Sequence, residues 1–271
     1  MQSVTLSNGV KMPVIGYGTL QITDPAQCRQ CVGNALACGY RLVDTAAAYG
    51  NERAVGDAIK TCGVPREELF IITKLWVQDA RYDNTLKAFE TSRKNLGLDY
   101  IDLYLIHQPF GDYYGAWRAM EKLYASGAVR AIGVSNFSAE RLVDLCMNQK
   151  VKPMVNQIEL HPFYQQAEAL KVMALYGVVP QAWGPLAEAQ KHIFEQKTLV
   201  KIAASHEKTV AQVVLRWHYQ RGVPTIPKTI CQERMAENLD IFGFSLCGKE
   251  MNAIAATVKL LTTAAFIQPA S

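Results

Sequence analysis

The chain has 271 residues, of which 49% are hydrophobic and 19% are charged, and its formal net charge is +4. This apolar fraction is enough to bury a large core, so an intrinsically disordered chain is excluded. The Lys and Arg residues form no block, which argues against nucleic acid or an anionic membrane as a partner.

The first part of the chain predicts a β-hairpin and then a helix. Asn8 and Gly9 stand between two short strand-like runs, a pair typical of a type I′ turn. Cys28 and Cys31 follow inside a helical pattern over 26–38, and no second pair lies at zinc-ribbon spacing. The N-terminus has no basic segment followed by an apolar one, so no signal peptide is expected. Seven scattered cysteines favour reduced thiols and a soluble, cytoplasmic protein.

Eight strand-like runs then alternate with amphipathic helical patterns, such as those over 82–96 and 138–147. This alternation predicts an α/β fold, a (β/α)8 barrel forming a single domain over 1–271, with extra helices near the C-terminus. The longer interval before the last run predicts two helices, over 198–205 and 210–220. The loops after strands four and seven are predicted to be short, which implies an open, shallow mouth. The eight runs begin near Val14, Arg41, Phe70, Ile101, Val129, Met154, Val178 and Val223.

Four polar residues stand at or just past the ends of three successive runs. Asp44 ends the second run, Tyr49 follows it in an Ala-rich loop, and Lys74 and His107 end the third and fourth runs. Separately, these could be a helix cap, a loop anchor, a rim lysine and a core histidine. Their joint occurrence favours an active site, because the strand ends of a parallel barrel converge on one mouth.

This quartet has the chemistry that carbonyl reduction requires, namely hydride delivery to carbon and a proton for oxygen near neutral pH. A tyrosine with a pKa near ~10 is a poor donor by itself. Lys74 beside Tyr49 would favour the phenolate and lower that pKa, and Asp44 would balance the ammonium. His107 would hold the substrate carbonyl through a ring N–H. We therefore expect Tyr49 to be the general acid in reduction and the general base in oxidation.

The order and identity of the quartet resemble the aldo-keto reductases, NADPH-dependent carbonyl reductases with an Asp, Tyr, Lys and His tetrad. The resemblance runs from Val4 to about Glu250. It implies that the hairpin plugs the bottom of the barrel and that the chain acts on a small carbonyl substrate. We also expect a monomer. The branch that it resembles most is that of the bacterial 2,5-diketo-gluconate reductases and prostaglandin-F-synthase-like enzymes.

The same resemblance implies an NADP(H) groove, although the usual dinucleotide fingerprint is missing, because Gly16 and Gly18 have no third glycine after them. Basic and hydroxyl groups after strand eight suit a ribose 2′-phosphate; this segment comprises Lys228, Thr229, Ile230, Arg234, Glu237 and Asn238. The nicotinamide is expected to pair its carboxamide with Ser135, Asn136 and Gln157 and to stack on Trp183. The remaining cofactor contacts are expected from Gly18, Thr19, Asp44, Gly184, Pro185 and Leu186.

Two features depart from the family pattern. Gln108 follows the catalytic histidine where many relatives have tryptophan, which makes the substrate pocket wall of Leu20, Trp76, Tyr49 and His107 more polar. The C-terminal segment 253–271 is short, apolar and helical in pattern, so little of it is expected to reach the substrate. We expect a broad reductase of aldehydes, ketones and small dicarbonyls.

Two other functions are compatible with the same residues. Lys74 could form a Schiff base in a barrel lyase or aldolase, or the chain could sense NADP without turnover. A short-chain dehydrogenase is excluded because no Tyr-x-x-x-Lys occurs. Glu159 and His161 are too few ligands for a metal site, so no metal is expected.

Overall fold

The computed structural model describes residues 2–257, and its strands form two sheets. A two-stranded antiparallel sheet precedes a parallel sheet in which seven strands are neighbours in chain order. The strands are β1 Ser3–Thr5, β2 Lys11–Pro13, β3 Tyr17–Gly18, β4 Leu42–Asp44, β5 Phe70–Leu75, β6 Ile101–Ile106, β7 Val129–Ser135, β8 Val155–Glu159 and β9 Val179–Trp183.

The α-helices of the described residues alternate with the parallel strands, as the amphipathic patterns predict. The pair expected after strand seven is present as α7 and α8, and α8 begins with a capping box between Thr209 and Gln212. The helices are α1 Pro25–Ala37, α2 Glu52–Thr61, α3 Tyr82–Leu96, α4 Tyr113–Ala125, α5 Ala139–Asn148, α6 Ala167–Tyr176, α7 Lys197–Ser205, α8 Val210–Gln220, α9 Gln232–Leu239 and α10 Gly248–Ala255.

The hairpin lies at the amino-terminal end of the barrel strands. Its turn is not type I′, because φ is positive at Gly9 (86°) but not at Asn8. The Asn8 side chain accepts from the Val10 N–H at 3.1 Å and donates to the Arg130 carbonyl, at the start of β7, at 2.9 Å. These bonds hold the turn against the barrel, and Met12 of β2 is fully buried beneath it.

The ring closes without a regular eighth strand. Near the predicted start at Val223, only Thr225 forms bridges, to Ile15 on one side and to Ala182 on the other. Pro224 and Pro227 flank this bridge and have no N–H, so a continuous ladder is impossible. Their carbonyls still accept, Pro224 from Ala182 at 2.8 Å and Pro227 from Gly18 at 3.1 Å. The structure is therefore a (β/α)8 barrel whose last strand is reduced to a bridge.

The loop after β9 differs from its prediction. It spans 184–196 and contains two short 3-10 turns, Ala187–Ala189 and Ile193–Glu195, before α7 begins. Several non-glycine residues in it have positive φ, including Glu188 and His192. The loop after β6 covers only 107–112 and is short as predicted.

Two expectations concern the whole chain. That 1–271 forms one domain stays a prediction, and the C-terminal helical pattern beyond residue 257 lies outside the described residues. Within 2–257, no helix combines the length and apolar character needed to cross a membrane.

Candidate active site

A cavity of about 750 Å³ opens at the carboxyl ends of the barrel strands. It brings together predicted residues from the ends of β3, β4, β6, β7, β8 and β9 and from the segment that includes α9. Those that line it are Gly18, Leu20, Asp44, Tyr49, His107, Gln108, Ser135, Asn136, Gln157, Trp183, Gly184, Pro185, Leu186, Lys228, Thr229, Arg234, Glu237 and Asn238.

Four predicted residues lie around the cavity without lining it. Lys74 is fully buried beneath Asp44 and Tyr49. Thr19 is also buried, and its hydroxyl donates to the Asp44 carbonyl at 2.9 Å. Trp76 packs edge-on against His107, with 5.0 Å between the ring centroids. Ile230 is 53% exposed.

Lys74 joins the quartet through its ammonium group. Its Nζ donates to Asp44 Oδ1 at 2.5 Å, to the Thr45 carbonyl at 2.8 Å and to the Tyr49 hydroxyl at 3.4 Å. The other Asp44 oxygen accepts from Gln157 Nε2 at 2.8 Å. The three donors of the ammonium thus have three acceptors, which a charge without solvent contact needs.

The charges of this cluster depend on one another. Burial disfavours the Lys74 ammonium, but Asp44 and Tyr49 outweigh it and raise the Lys74 pKa above its usual value. Burial also raises the pKa of the Asp44 carboxyl, while Lys74 and Gln157 limit that rise. Lys74 therefore stays a cation at neutral pH.

The Tyr49 phenol is governed mainly by burial. Desolvation raises its pKa above 10, the Lys74 charge opposes that rise, and the Asp44 charge adds to it. Lys74 therefore acts in the predicted direction, but the prediction that it lowers the net pKa is wrong for this structure. Tyr49 is a protonated donor at neutral pH, with a cation 3.4 Å from its hydroxyl.

His107 is a neutral imidazole at the cavity wall. Burial, with a smaller contribution from the Lys74 charge, lowers its pKa to about 3. Its ring lies edge-on to Tyr49, with 5.6 Å between centroids, and its Nδ1 has no hydrogen-bond partner among the described residues. A neutral ring carries one N–H, which can donate to a substrate oxygen without adding charge.

The predicted nicotinamide contacts are held by bonds within the protein. Asn136, with φ 62°, donates to the His107 carbonyl at 3.1 Å and accepts from Trp183 Nε1 at 2.8 Å. The Ser135 hydroxyl donates to the Gln157 carbonyl at 2.9 Å. These bonds fix the orientation of the half-buried Trp183 indole. These side chains are thus oriented by the protein itself, and their pairing with the nicotinamide carboxamide stays a prediction.

The opposite end of the cavity carries the predicted phosphate-binding groups. Arg234, Glu237 and Asn238 line it from one face of α9, as their spacing predicts. Gly18 allows a close approach, because a Cβ there would lie 2.9 Å from the Ile226 carbonyl oxygen and 3.7 Å from the Lys228 Cβ. The groove therefore runs from the Tyr49 hydroxyl to α9.

Sequence reasoning missed a second wall of the groove. It comes from Gln21, from the loop after β9 and from the start of α8, where the Thr209 hydroxyl donates to Glu237 Oε1 at 2.6 Å. The capping box at Thr209 was a readable signal for a helix start, but nothing in the sequence marked the loop. The missed residues of this wall are Gln21, Glu188, Ala189, Phe194, Thr209, Val210 and Ala211.

His161 has contacts typical of a structural histidine. Its Nε2 lies 3.1 Å from Glu159 Oε1, and its Nδ1 accepts from the Phe163 N–H at 3.2 Å. Within residues 2–257, no cluster of three or more His, Cys, Asp or Glu residues is arranged to hold a metal ion.

Comparison with known proteins adds independent evidence on ancestry. The Aldo/keto reductase family pattern matches residues 14–259. The chain is 48% identical over 258 residues to a glyoxal reductase of Bacillus subtilis, covering 95% of this chain and 93% of the relative. It is 46% identical over 253 residues to a 9,11-endoperoxide prostaglandin H2 reductase of Trypanosoma cruzi, covering 93% and 89%.

A solved structure agrees with these relatives. A Gox0644 mutant in complex with NADPH aligns with a TM-score of 0.89 at 40% identity, covering 94% of this chain and 93% of that one. The family match and the relatives both span most of the chain. The similarity therefore extends over the whole barrel and is not limited to a short motif. The chain belongs to the aldo/keto reductase family of oxidoreductases.

Proposed function

We propose that this protein is an NADPH-dependent carbonyl reductase in which Tyr49 is the general acid. The observation that carries the proposal is the hydrogen-bonded series Asp44–Lys74–Tyr49 at the cavity wall, next to the neutral ring of His107. An alternative without redox chemistry would not need a protonated phenol, a fixed cation and a neutral histidine at one point of a groove.

The cavity residues fit a dinucleotide with a 2′-phosphate. Trp183 offers a flat indole near the quartet, and Lys228 and Arg234 offer cations at the far end. When bound, NADPH supplies the hydride. The relative solved with NADPH has the same fold over 94% of this chain, which supports the same cofactor here.

The proton step follows from the local electrostatics. His107 and Tyr49 would hold the substrate oxygen between them, and Tyr49 would give it the phenolic proton. The phenolate left behind is stabilised by Lys74, whose Nζ is 3.4 Å away. Asp44 keeps Lys74 charged through the cycle. In the oxidation of an alcohol, the same phenolate would accept the proton.

The substrates proposed are aldehydes, ketones and small dicarbonyls. Leu20 and Gln108 line the cavity near Tyr49, giving one apolar and one amide wall, and the His107 ring there is backed by Trp76. The glyoxal reductase relative supports small dicarbonyls among them. The branch near 2,5-diketo-gluconate reductase, the monomeric state and the cytoplasmic location stay predictions.

The Schiff-base alternative conflicts with the state of Lys74. An amine must be neutral and accessible to attack a carbonyl, whereas this one is a buried cation with three acceptors. A cofactor sensor without turnover remains distinguishable by experiment, because it would bind NADPH and reduce nothing.

Tyr49→Phe tests the proposal directly, since it removes the phenolic hydroxyl alone. We expect kcat for the reduction of glyoxal and other aldehydes to fall by at least about 10²-fold. NADPH should still bind and quench Trp183 fluorescence. The measurement is NADPH absorbance over a panel of aldehydes, ketones and dicarbonyls, with the more exposed Tyr164→Phe as the matched control.

Two results would contradict the assignment. Turnover of Tyr49→Phe within about twofold of the parent would remove Tyr49 from the role of acid. A borohydride-stable adduct on Lys74 of the parent would favour the lyase. If the parent binds NADPH but reduces no member of the panel, the result would favour a cofactor sensor without turnover.

A further inference from the structure

Three side chains on the outer side of the barrel wall hold the backbone between Thr229 and α9. The Tyr17 hydroxyl donates to the Thr229 carbonyl at 2.6 Å, and the Tyr40 hydroxyl donates to the Met235 carbonyl at 3.1 Å. Cys31 Sγ lies 4.0 Å from the Ile230 carbonyl. Both tyrosines are fully buried and meet edge-on at 5.8 Å. The same short segment carries the cavity residues Thr229 and Arg234.

The bond from Tyr17 fixes the direction of one peptide group. In a planar trans peptide, the C=O and the following N–H point in opposite directions, and the described residues have no cis peptide. Since the Thr229 carbonyl points toward Tyr17, the Ile230 N–H points away from it. No backbone or side-chain group of the described residues accepts from this N–H. It is a free donor beside Lys228 and Thr229, which both line the cavity.

We propose that Tyr17 is a positioning residue for the 2′-phosphate of NADPH, because it turns the Ile230 N–H toward that phosphate. The inference rests on the proposed function and assigns part of the cofactor preference to a residue that does not itself touch the cofactor. An N–H aimed at a phosphate oxygen forms a charge-assisted bond, which is stronger than a neutral one. NADH has no 2′-phosphate and gains nothing from this orientation.

Two properties of Tyr17 suit this task. Burial, aided by Cys31 and Cys28, raises the pKa of its phenol, so the hydroxyl is a protonated donor at neutral pH. The ring is held in place by Tyr40, so the hydroxyl has little freedom to follow a moving backbone. Without this donor, the half-buried Thr229 carbonyl would lose its partner within the protein, and rotation of the peptide would be one way to satisfy it.

The test measures the binding of defined probes to the whole protein. Tyr17→Phe removes only the hydroxyl, and its Kd for NADPH should rise about tenfold while its Kd for NADH changes by less than about twofold. Adenosine 2′,5′-bisphosphate, which carries the 2′-phosphate without the nicotinamide, should lose the same factor as NADPH. Isothermal titration gives the three constants.

Two matched variants separate orientation from general damage. Tyr104→Phe removes a buried hydroxyl that has no hydrogen-bond partner among the described residues, and it should leave all three constants unchanged. Tyr40→Phe loosens α9 at Met235 without freeing the Thr229 carbonyl, so its selective effect on NADPH should be smaller than that of Tyr17→Phe. Equal losses for NADPH and NADH in Tyr17→Phe would overturn the proposal, as would an unchanged NADPH constant.

A second measurement on the parent applies even if Tyr17→Phe fails to fold. The amide resonance of Ile230 should move downfield when adenosine 2′,5′-bisphosphate is added and stay in place with adenosine 5′-monophosphate. An unmoved resonance would overturn the proposal. If the parent prefers NADPH and Tyr17→Phe keeps the same preference, only the role of Tyr17 is contradicted. A parent that binds neither NADPH nor the bisphosphate contradicts the proposed function as well.

Discussion

At the scale of single residues, the site depends on a lysine that has no contact with solvent. Lys74 is tolerated because Asp44, Thr45 and Tyr49 accept from its three donors. Removing one partner of such a buried pair leaves the other charge unbalanced, which is more costly than losing an exposed ion pair. The same cation opposes the effect of burial on the Tyr49 pKa. The pH dependence of the reaction can separate the effect of the Lys74 charge on the Tyr49 pKa from the effect of Lys74 on the position of Tyr49.

Lys74→Met keeps the apolar stem and removes the charge. Burial and the Asp44 carboxylate then raise the Tyr49 pKa with no opposing cation. Because alcohol oxidation needs the phenolate, its rate should rise only at higher pH than in the parent. The measurement is the pH profile of NADP-dependent alcohol oxidation by both proteins. A slower mutant with an unshifted profile would mean that Lys74 only positions Tyr49.

Arg234→Ala should affect NADPH more than NADH, since the 2′-phosphate is the difference between them. Loss of a charge-assisted bond of about 1.5–3 kcal/mol corresponds to about 10- to 150-fold in affinity. Titration of both cofactors into the mutant measures this. Arg118→Ala, an exposed arginine on α4, is the control and should bind both cofactors as the parent does. Equal losses for both cofactors in Arg234→Ala would exclude a 2′-phosphate contact.

At this scale the sequence predicted positions better than energies. Asp44, Lys74 and His107 could be placed together because each ends an apolar run, and strand ends of a barrel share one mouth. The net pKa of Tyr49 could not be predicted, because it depends on how deeply the fold buries the phenol. Thr19 was predicted to contact the cofactor, which stays a prediction, and its hydroxyl donates to the Asp44 carbonyl at the end of β4. Sequence alone does not show which way such a side chain turns.

At the scale of elements, β3 meets the segment after Thr225 at Gly18, whose N–H donates to the Pro227 carbonyl at 3.1 Å. Gly18→Ala would place a methyl group 2.9 Å from the Ile226 carbonyl oxygen, which is backbone and cannot move aside without displacing Lys228. Overpacking of this kind costs about 1–3 kcal/mol. We expect a lower free energy of unfolding in urea and weaker NADPH binding.

Gly33→Ala is the control for this prediction. Gly33 lies inside α1, and no neighbouring atom lies within 4 Å of the position that a Cβ would occupy, so alanine should stabilise the helix by about 0.5–1 kcal/mol. If Gly18→Ala has the stability and NADPH affinity of the parent, the backbone at Ile226 can move away from β3 without a loss of folding free energy.

Elements with a regular period were predicted well, and irregular ones were not. The helix predicted over 82–96 is α3, because its apolar residues recur with helical spacing and Gly97 ends it with φ 65°. The loop 184–196 was predicted to be short, since its 3-10 turns have no periodic signal. The turn at Asn8 was mistaken for type I′ because its side-chain bond to Arg130 joins residues 122 positions apart.

At the scale of the whole molecule, buried neutral histidines make the fold sensitive to acid. His218 of α8 is fully buried, and burial, with a smaller contribution from the Arg221 charge, lowers its pKa to about 3. An unfolded histidine titrates near ~6.5, so between these values the unfolded state binds the extra proton. The contribution of His218 to stability is therefore complete above a pH of about 6.5 and falls as the pH drops toward 3.

His218→Leu tests this contribution. At pH 5 the parent should lose about 2 kcal/mol relative to pH 7 through His218, and the mutant should lose that much less. The measurement is the free energy of unfolding in urea at both pH values. The exposed His192→Gln is the control and should lose stability as the parent does. A His218→Leu protein with undiminished acid sensitivity would place the effect in other groups.

The closure of the barrel at Thr225 has a consequence for how long the protein survives. The segment that completes the barrel continues directly into Lys228 and Thr229, so the proposed cofactor would brace the place where the barrel is closed by isolated bridges and not by a regular strand. A ligand held at about 100 times its Kd adds about 2.7 kcal/mol to the folded state. Resistance to proteases would then follow the supply of the phosphorylated dinucleotide, in either redox state. A cell depleted of this dinucleotide would lose the enzyme through turnover as well as through lack of cofactor.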